Sequence, residues 1–343
     1  MMAAARYLWK IPLFTLLYAC YAGFALWCFG ALCYGPFPAV CNMAAAGVFL
    51  LLALTAPFLR PRKLFLSGAF LIMAVILSFW LMADATNERD WIPEYQRMPH
   101  FEWQQDGDAF RLNNIRDFTF RTSSDFDQRY VDWDLRVSDV SGLDYIVVHW
   151  DNPMGLWIAH SMLRFRFKDG RSFVVSCETR RTPEEEYGAV PGLYHQFNLI
   201  YVIGTDADIL ALRTHAREPR EQVYLYPTNA EKEQRETILR DLAERINDLV
   251  RHPKFYNTLT GNCMTTLLPS VSKGVDIPVG SYAYLFNGFS DRLAYDLGFL
   301  KLMRPDETFE EMQSRCHVNP KVKDWDGDRS TYSGLFSSGE TSK

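Results

Sequence analysis

The segment AHSMLRFRFKDGRSFVVSCETRR, residues 159–181, predicts a β-hairpin that places a histidine beside a glutamate. Two runs rich in β-forming residues flank KDG at 168–170, which fits a three-residue turn with glycine last, in the left-handed region. Counting back from this turn puts His160 directly opposite Glu178, and such opposed side chains lie about 5 Å apart at Cβ.

Period-two alternation divides this hairpin into two faces. The apolar face is predicted to point into the core and consists of Leu163, Phe165, Phe167, Phe173, Val175 and Cys177. The polar face consists of His160, Arg164, Arg166, Ser172, Ser176 and Glu178. A two-residue turn would instead place His160 and Glu178 on opposite faces.

A carboxylate beside an imidazole fixes its tautomer and raises its basicity, which is the orienting role in a catalytic triad. On this interpretation His160 is a general base and Glu178 orients it. The alternative is that His160 and Glu178 form a cross-strand ion pair on the surface, which contributes roughly a few tenths of a kcal/mol to stability.

A candidate nucleophile lies further along the chain, in the segment LTGNCMTTLL. Asn262 is a good N-cap, which places Cys263 in the first turn of a helix. Free N–H groups and the helix dipole favour negative charge there, and the thiolate is the nucleophilic form of cysteine. Thr265 offers a further polar contact, the backbone N–H of Cys263 offers an oxyanion donor, and Pro269 is predicted to kink or end the helix. The alternative is a buried structural cysteine.

The other chemical signals in the chain are weak. Cys177 points to the core in the predicted register, and Cys316 lies beside His317 in a polar tail. The sequence has no CxxC pair, zinc spacing, GxSxG, HExxH or phosphate-binding motif, so we expect neither a metal nor an organic cofactor. A net charge of −5 without a basic block argues against nucleic acid as a partner.

The N-terminal part of the chain is predicted to be a membrane anchor. Residues 11–59 and 64–83 carry no charge, and a bilayer core requires about 20 apolar residues per helix. We expect three transmembrane helices, near Pro12–Cys33, Ala39–Leu59 and Leu64–Met82. A cleaved signal peptide is disfavoured because the first apolar run is too long and further apolar runs follow.

The distribution of positive charge predicts the orientation of this anchor. Arg6 and Lys10 flank the first helix, basic residues fill the loop at 60–63, and acidic residues predominate at 84–90. The N-terminus is therefore predicted to be cytoplasmic and the rest of the chain after Ala83 to be periplasmic, anchored in the bacterial inner membrane.

Beyond the anchor at 1–83, the pattern predicts three further regions. Residues 84–105 are expected to form a polar juxtamembrane linker, and 106–302 a periplasmic domain resembling a thiol enzyme. Mixed strands and helices without regular βαβ alternation make this domain α+β. Residues 303–343 form a polar tail that we expect to be partly ordered at best.

Several motifs in this order resemble a bacterial family of exported domains that includes the outer-face domain of Lnb, the lipoprotein intramolecular transacylase. The resemblance extends from about Asn113 to Leu300. The segments that carry it are the hairpin itself, YHQFNLIYVIGTDADILALRT, VYLYPTNA, FYNTLTGNCMTTLL and FSDRLAYDLGFL.

The resemblance implies a permuted papain-like fold of the NlpC type, in which the histidine precedes the cysteine in the sequence. It implies that Cys263, His160 and Glu178 match the catalytic residues of the family. It further implies supporting roles toward the substrate or oxyanion for Asn262, Arg180 and Arg181. We expect the same kind of role for Thr265 from its position in the first turn after Cys263.

Three functional hypotheses follow from these observations. The first is a membrane-anchored cysteine acyltransferase or acyl hydrolase that forms a thioester on Cys263 with a lipid or lipoprotein substrate. The second is a thiol peptidase or amidase on cell-wall peptides, and the third is a non-catalytic membrane-tethered binding module. An apolar channel favours the first and an open polar cleft the second, while the acyl donor, the acceptor and the oligomeric state are open.

Overall fold

A computed structural model of the chain describes residues 10–150, 157–277 and 287–337. Arg6 and residues 338–343 of the predicted tail lie outside the described residues. The described chain forms two compact units, of which the first comprises residues up to Ala85 together with the loop Gly188–Gln196, and the second comprises the remainder.

The first unit contains the apolar helices Lys10–Cys33 (α1), Ala39–Thr55 (α2) and Arg62–Leu81 (α3). Two of them, over Pro12–Cys33 and Arg62–Leu81, are long and apolar enough to cross a membrane, and α2 is shorter. Aromatic rings of the loop 188–196 pack within this unit, since the ring of Tyr194 stacks on Tyr34 and that of His195 lies 3.9 Å from Trp80.

The second unit is α+β, as the sequence predicts, and is built on an eight-stranded sheet. Its strand order is β1-β2-β9-β8-β7-β6-β10, with β5 paired to β2, and β3 and β4 form a separate ribbon. The strands are His100–Trp103 (β1), Ala109–Arg116 (β2), Thr119–Phe120 (β3), Phe126–Asp127 (β4), Tyr130–Arg136 (β5), Val140–His149 (β6), Ala159–Phe167 (β7), Ser172–Arg180 (β8), Asn198–Gly204 (β9) and Gln222–Pro227 (β10).

Helices cover both faces of this sheet and enclose two apolar cores. In chain order they are Asp206–Ala211 (α4), Lys232–Arg251 (α5), Cys263–Gly274 (α6), Ser290–Asp296 (α7), Phe309–Cys316 (α8), Asn319–Val322 (α9), Arg329–Tyr332 (α10) and Gly334–Ser337 (α11). A π-helical turn, Leu212–Ala216, continues α4. Helices α5 and α6 pack on one face, whereas α4, α9 and α10 pack on the other.

The predicted hairpin and its register are confirmed. Strands β7 and β8 pair Met162 with Ser176, which is the predicted register, and beyond this pair His160 Nε2 lies 3.2 Å from Glu178 Oε1. The turn closes as expected, because Gly170 has a φ of +87° in the left-handed region.

The second face of the hairpin carries polar residues, but it is buried and does not face solvent. Arg164 is 3% exposed and is held by Asp206 at 2.7 Å and by Asp144 at 2.9 Å. Met162 and Val174 on the same face belong to the second apolar core. The buried charges are tolerated because both carboxylates pair with the guanidinium.

Residues 84–105, predicted to be a linker, are largely part of the second unit. Strand β1 forms an edge of the sheet through antiparallel pairing with β2. The preceding segment is held by Arg180, whose guanidinium donates to the carbonyl oxygens of Tyr95 at 2.9 Å and Gln96 at 3.0 Å. Trp91 packs under the same guanidinium, with its ring centroid 4.4 Å away.

The expectation of a poorly ordered tail is wrong for the described residues 303–337. They contain α8 to α11, and the buried side chains of Val318, Val322 and Tyr332 complete the second core. The helix that begins at Cys263 likewise continues through Pro269 to Gly274, so that this proline does not end it.

Candidate active site

His160, Ser176 and Glu178 form a compact hydrogen-bonded cluster at the end of β7 and β8. The Nε2 atom of His160 lies 2.7 Å from Ser176 Oγ and 3.2 Å from Glu178 Oε1. The Ser176 hydroxyl in turn donates to Glu178 Oε1 over 2.6 Å. Ser176 therefore lies between the imidazole and the carboxylate, a contact that sequence reasoning missed although the serine shares their face of the hairpin.

A buried arginine holds the carboxylate in its ionised form. Arg213 Nη2 lies 3.0 Å from Glu178 Oε1, and the Arg213 side chain is 3% exposed. Burial opposes ionisation of Glu178, but His160, Arg213 and Ser176 together hold its pKa well below the usual value. Arg213 lies in the π-helical turn after α4, and nothing in its local sequence pattern marks it as a partner of β8.

The candidate nucleophile begins a well-capped helix, as predicted. The Asn262 side chain accepts hydrogen bonds from the backbone N–H groups of Met264 and Thr265, each at 3.0 Å. Thr265 Oγ1 accepts from the Asn262 N–H at 2.9 Å and completes a capping box. These contacts fix the first turn of α6, in which Cys263 stands.

The sulfur of Cys263 lies among polar groups. His160 and the backbone N–H of Ser161 lower the pKa of its thiol, and the sulfur lies 4.0 Å from the carbonyl oxygen of Ala159. Asn287 Nδ2 lies 3.6 Å from the same sulfur. Because Nε2 of His160 faces Ser176 and Glu178, the ring nitrogen left for the sulfur is Nδ1.

These contacts shift both pKa values toward a thiolate–imidazolium pair. Burial alone would raise the pKa of Cys263, but His160 and the Ser161 N–H lower it below its ordinary value of 9.0. Burial alone would lower the pKa of His160, but Glu178 and Cys263 raise it to about 9. Both shifts favour a negative sulfur beside a positive imidazole over the neutral pair.

The structure brings Cys263, His160 and Glu178 together but gives the four predicted supporting residues other contacts. The side chains of Asn262 and Thr265 form the hydrogen bonds that cap α6. Arg180 is buried against the segment 87–98, and Arg181 Nη1 faces the carbonyl oxygen of Glu185 at 3.5 Å. Carbonyl groups of that segment occupy the Arg180 guanidinium, and its predicted contact with the substrate stays a prediction.

The remaining cysteines of the second unit have no such surroundings. Burial raises the pKa of Cys177 well above 9.0 and that of Cys316 to about 11. Their thiols therefore stay protonated at neutral pH and are poor nucleophiles. The described residues also contain no group of three or more side chains suited to holding a metal ion.

A mainly apolar cavity of about 400 Å³ lies against the residues next to the sulfur. Ser161 and Met264, neighbours of His160 and Cys263, belong to its wall. Its apolar lining includes Leu143, Leu163, Leu267, Leu268, Val271 and Leu293. This volume lies within the range of ligand-binding pockets, roughly 300–1,000 Å³.

The polar end of this cavity is a chain of hydroxyl groups. Tyr145 Oη lies 3.0 Å from Ser161 Oγ and donates to Ser290 Oγ over 2.7 Å. Ser290 donates in turn to the backbone carbonyl oxygen of Asn287 over 2.6 Å. The cavity therefore presents hydroxyl groups next to Ser161, further polar residues at Thr228, Asn229, Glu231 and Gln234, and a mainly apolar wall otherwise.

Fold and site together define an α+β domain with a buried cysteine–histidine–glutamate cluster, in a chain whose N-terminal helices are apolar. Residues 126–287 match a family model described as the Lnb N-terminal periplasmic domain, so this part of the chain is similar to that family of exported domains. The match includes Cys263, His160 and Glu178 and ends at Asn287. Neither the curated proteins nor the solved structures gave a match.

Proposed function

We propose that the protein is a membrane-anchored periplasmic cysteine acyltransferase or acyl hydrolase that acts on acyl esters of lipids or lipoproteins. The observation that carries this proposal is the cluster in which His160 lowers the pKa of the Cys263 thiol while its Nε2 atom is held by Ser176 and Glu178. The match of residues 126–287 to the Lnb N-terminal periplasmic domain supports a role in lipoprotein processing.

In the first half of the proposed reaction, the Cys263 thiolate attacks the carbonyl carbon of the acyl ester. The C=O electrons move onto oxygen, and collapse of this tetrahedral intermediate breaks the ester C–O bond. The departing alkoxide takes the proton of the His160 imidazolium and leaves as an alcohol, so that the acyl group remains on sulfur as a thioester.

In the second half, an amine or a water molecule attacks the thioester carbonyl and gives its proton to His160. The C–S bond breaks, and the thiolate–imidazolium pair is regenerated. Glu178 stays ionised throughout and stabilises the imidazolium, which is the reason for its burial beside Arg213.

The cavity beside the sulfur supports an acyl substrate over a peptide. Its wall is formed mainly by aliphatic side chains of β6, β7, α6 and α7, and its polar residues come from the hydroxyl chain Tyr145–Ser161–Ser290 and from the segment 228–234. A predominantly aliphatic lining suits a hydrocarbon chain, whereas a peptide requires polar partners along its length.

The proposed fold and location extend the same argument. We propose a permuted papain-like fold for this domain. The order of the candidate residues supports it, because His160 on strand β7 precedes Cys263 at the start of α6. We propose that α1, α2 and α3 all span the inner membrane with the N-terminus in the cytoplasm, which would place a bilayer-resident substrate near the enzyme.

Mass spectrometry of the full-length protein tests this function. The protein in detergent micelles is incubated with a phospholipid or a triacylated lipopeptide, and its cysteine-containing peptides are searched for an acyl adduct that neutral hydroxylamine removes. We expect the adduct on Cys263, its loss in Cys263→Ala, and its retention in the matched control Cys177→Ala. An unmodified Cys263 with both substrates would overturn the proposal. So would a Cys263→Ala variant that restores the phenotype of a strain lacking the protein as well as the wild type does.

A further inference from the structure

Asn287 contacts both the strand of the histidine and the nucleophile. It follows α6 in the sequence, is 7% exposed and begins the short turn that leads into α7. Its Nδ2 atom lies 2.6 Å from the carbonyl oxygen of Ala159 and 3.6 Å from the sulfur of Cys263.

The orientation of this amide is determined by its partners. Oδ1 of Asn287 accepts the backbone N–H of Ala159 over 2.9 Å, and Nδ2 donates to the carbonyl oxygen of the same residue. An amide flipped by 180° would bring oxygen against oxygen and an NH₂ group against the N–H, so Nδ2 must be the atom that faces Cys263. One of its two hydrogens serves Ala159, and the second is directed toward the sulfur.

A second donor lies on the nucleophile itself. Cys263 is the first residue of α6, where a backbone N–H has no partner within the helix. Among the described residues, no acceptor forms a hydrogen bond with the Cys263 N–H. The Asn262 side chain accepts instead from the N–H groups of Met264 and Thr265. Two donors near the sulfur, the Cys263 N–H and the second hydrogen of the Asn287 amide, are therefore available to bind an oxyanion.

Acylation changes what the Asn287 amide can bind. A thiolate accepts hydrogen bonds strongly, but once the sulfur is bonded to an acyl carbon it becomes a weak acceptor, like the sulfur of a thioether. At that moment negative charge appears on an oxygen only two bonds from the sulfur. A buried donor aimed at the sulfur is then close enough to serve this oxygen without crossing the site.

We propose that Asn287 is a catalytic residue whose side-chain amide, together with the Cys263 N–H, forms the oxyanion hole of the acyl transfer. This inference rests on the proposed function. As the Cys263–carbon bond forms, the carbonyl electron pair moves to oxygen and Asn287 Nδ2–H donates to it. When the C–O or C–S bond breaks, the pair returns to form the C=O bond, and Asn287 itself neither gains nor loses a proton.

Two reactions of the same sulfur separate this role from a structural one. Alkylation of Cys263 by iodoacetamide depends on the thiolate but forms no oxyanion, whereas acylation by p-nitrophenyl hexanoate requires one. Both rates are measured on the full-length protein, by peptide mass spectrometry at Cys263 and by the burst of p-nitrophenolate. In Asn287→Ala we expect the ratio of the acylation rate to the alkylation rate to fall about 100-fold or more, because the lost donor to the thiolate affects both reactions and the lost oxyanion donor affects acylation alone.

Two further variants keep the test decisive. Asn287→Asp has the same shape but no donor, and it serves if the alanine variant fails to fold. Its carboxylate weakens the thiolate, so the ratio of the acylation rate to the alkylation rate is compared, and this ratio should fall about 100-fold or more. The control Asn198→Ala removes another buried amide, whose Nδ2 serves the carbonyl oxygen of Thr86, and should leave the ratio unchanged.

The outcomes distinguish this inference from the function on which it rests. A wild-type protein that alkylates at Cys263 but is never acylated by the ester contradicts the proposed function itself. Normal acylation of the wild type, with an unchanged rate ratio in Asn287→Ala and Asn287→Asp, contradicts only the oxyanion role of Asn287.

Discussion

Arg213 donates to Glu178 over 3.0 Å from a side chain that is almost completely buried. The carboxylate thus lies between a permanent cation and an imidazole, with the Ser176 hydroxyl on the same oxygen. This arrangement ensures that Glu178 is charged when His160 accepts a proton, and it ties the π-helical turn after α4 to the centre of the site.

Removing this cation should destabilise the fold. Arg213→Gln leaves Glu178 without its buried partner, and breaking one member of such a pair costs about 3 kcal/mol in the free energy of unfolding. Arg217→Gln is the matched control, because Arg217 is one third exposed and its pair with Glu221 contributes about 1 kcal/mol or less. Urea unfolding measures both, and equal losses would show that burial of Arg213 has no special role.

The pH dependence of Cys263 alkylation should report its pairing with His160. In the wild type the imidazole holds the pKa of the thiol below 9.0. In His160→Ala burial and the Glu178 charge remain, and both raise that pKa, so the alkylation curve should move to higher pH. Each unit of pKa changes the thiolate fraction tenfold, and we expect a loss of about tenfold or more at pH 7. Coincident curves would show that the two side chains do not interact.

The hydroxyl between histidine and glutamate should matter less than either neighbour. Ser176→Ala removes two hydrogen bonds but leaves the direct His160–Glu178 approach of 3.2 Å. We expect acylation of Cys263 to slow about tenfold, equivalent to about 1.4 kcal/mol, with a smaller shift of the alkylation curve than in His160→Ala. Ser176→Thr retains the hydroxyl and should restore most of the rate; a fully active alanine variant would exclude a positioning role for Ser176.

The part of this site that could be predicted from the sequence is the part set by local geometry. A turn with glycine in the left-handed region fixes the hairpin register, and an asparagine N-cap fixes the helix start, so His160, Glu178 and Cys263 could be placed. Arg213 and Asn287 reach the site through long-range packing, which has no local periodic signal. The positions of Arg180 and Arg181 shortly after Glu178 do not determine their contacts, because an arginine side chain can face either the site or the neighbouring segment.

The sequence of the C-terminal helices contains a helical spacing of apolar residues, but the polar composition of the segment led to the prediction of a partly ordered tail. The buried pairs Met312 and Cys316, Val318 and Val322, and Tyr332 and Phe336 are each separated by four positions, the spacing of one helix face. Thr308 and Glu311 form a capping box at the start of α8. Polar residues between these pairs made the segment resemble a solvated tail, although a narrow apolar stripe was enough to bury it against the sheet.

Arg180 should prove structural and not catalytic. Arg180→Ala leaves the carbonyl oxygens of Tyr95 and Gln96 without their donor and removes the contact with Trp91, at a cost of about 3 kcal/mol in unfolding free energy. The alkylation rate and pH curve of Cys263 should be unchanged in the folded variant. A variant of normal stability with slow acylation would restore the supporting role implied by the family resemblance.

The apolar cavity should determine which esters the protein accepts. Leu268 lines this cavity and is only half-buried, so Leu268→Trp can narrow it while disturbing the core less than a change at a fully buried position. We expect acylation of Cys263 by p-nitrophenyl esters of long chains to slow about tenfold or more, since the tryptophan occupies space that the methylene groups need, while acetate and butyrate esters react as before. Leu268→Ala is the matched control and should leave long-chain esters reactive. Chain-length profiles measured by p-nitrophenolate release decide the matter: if Leu268→Trp slows short and long esters equally, the acyl chain binds elsewhere and the cavity does not select the substrate.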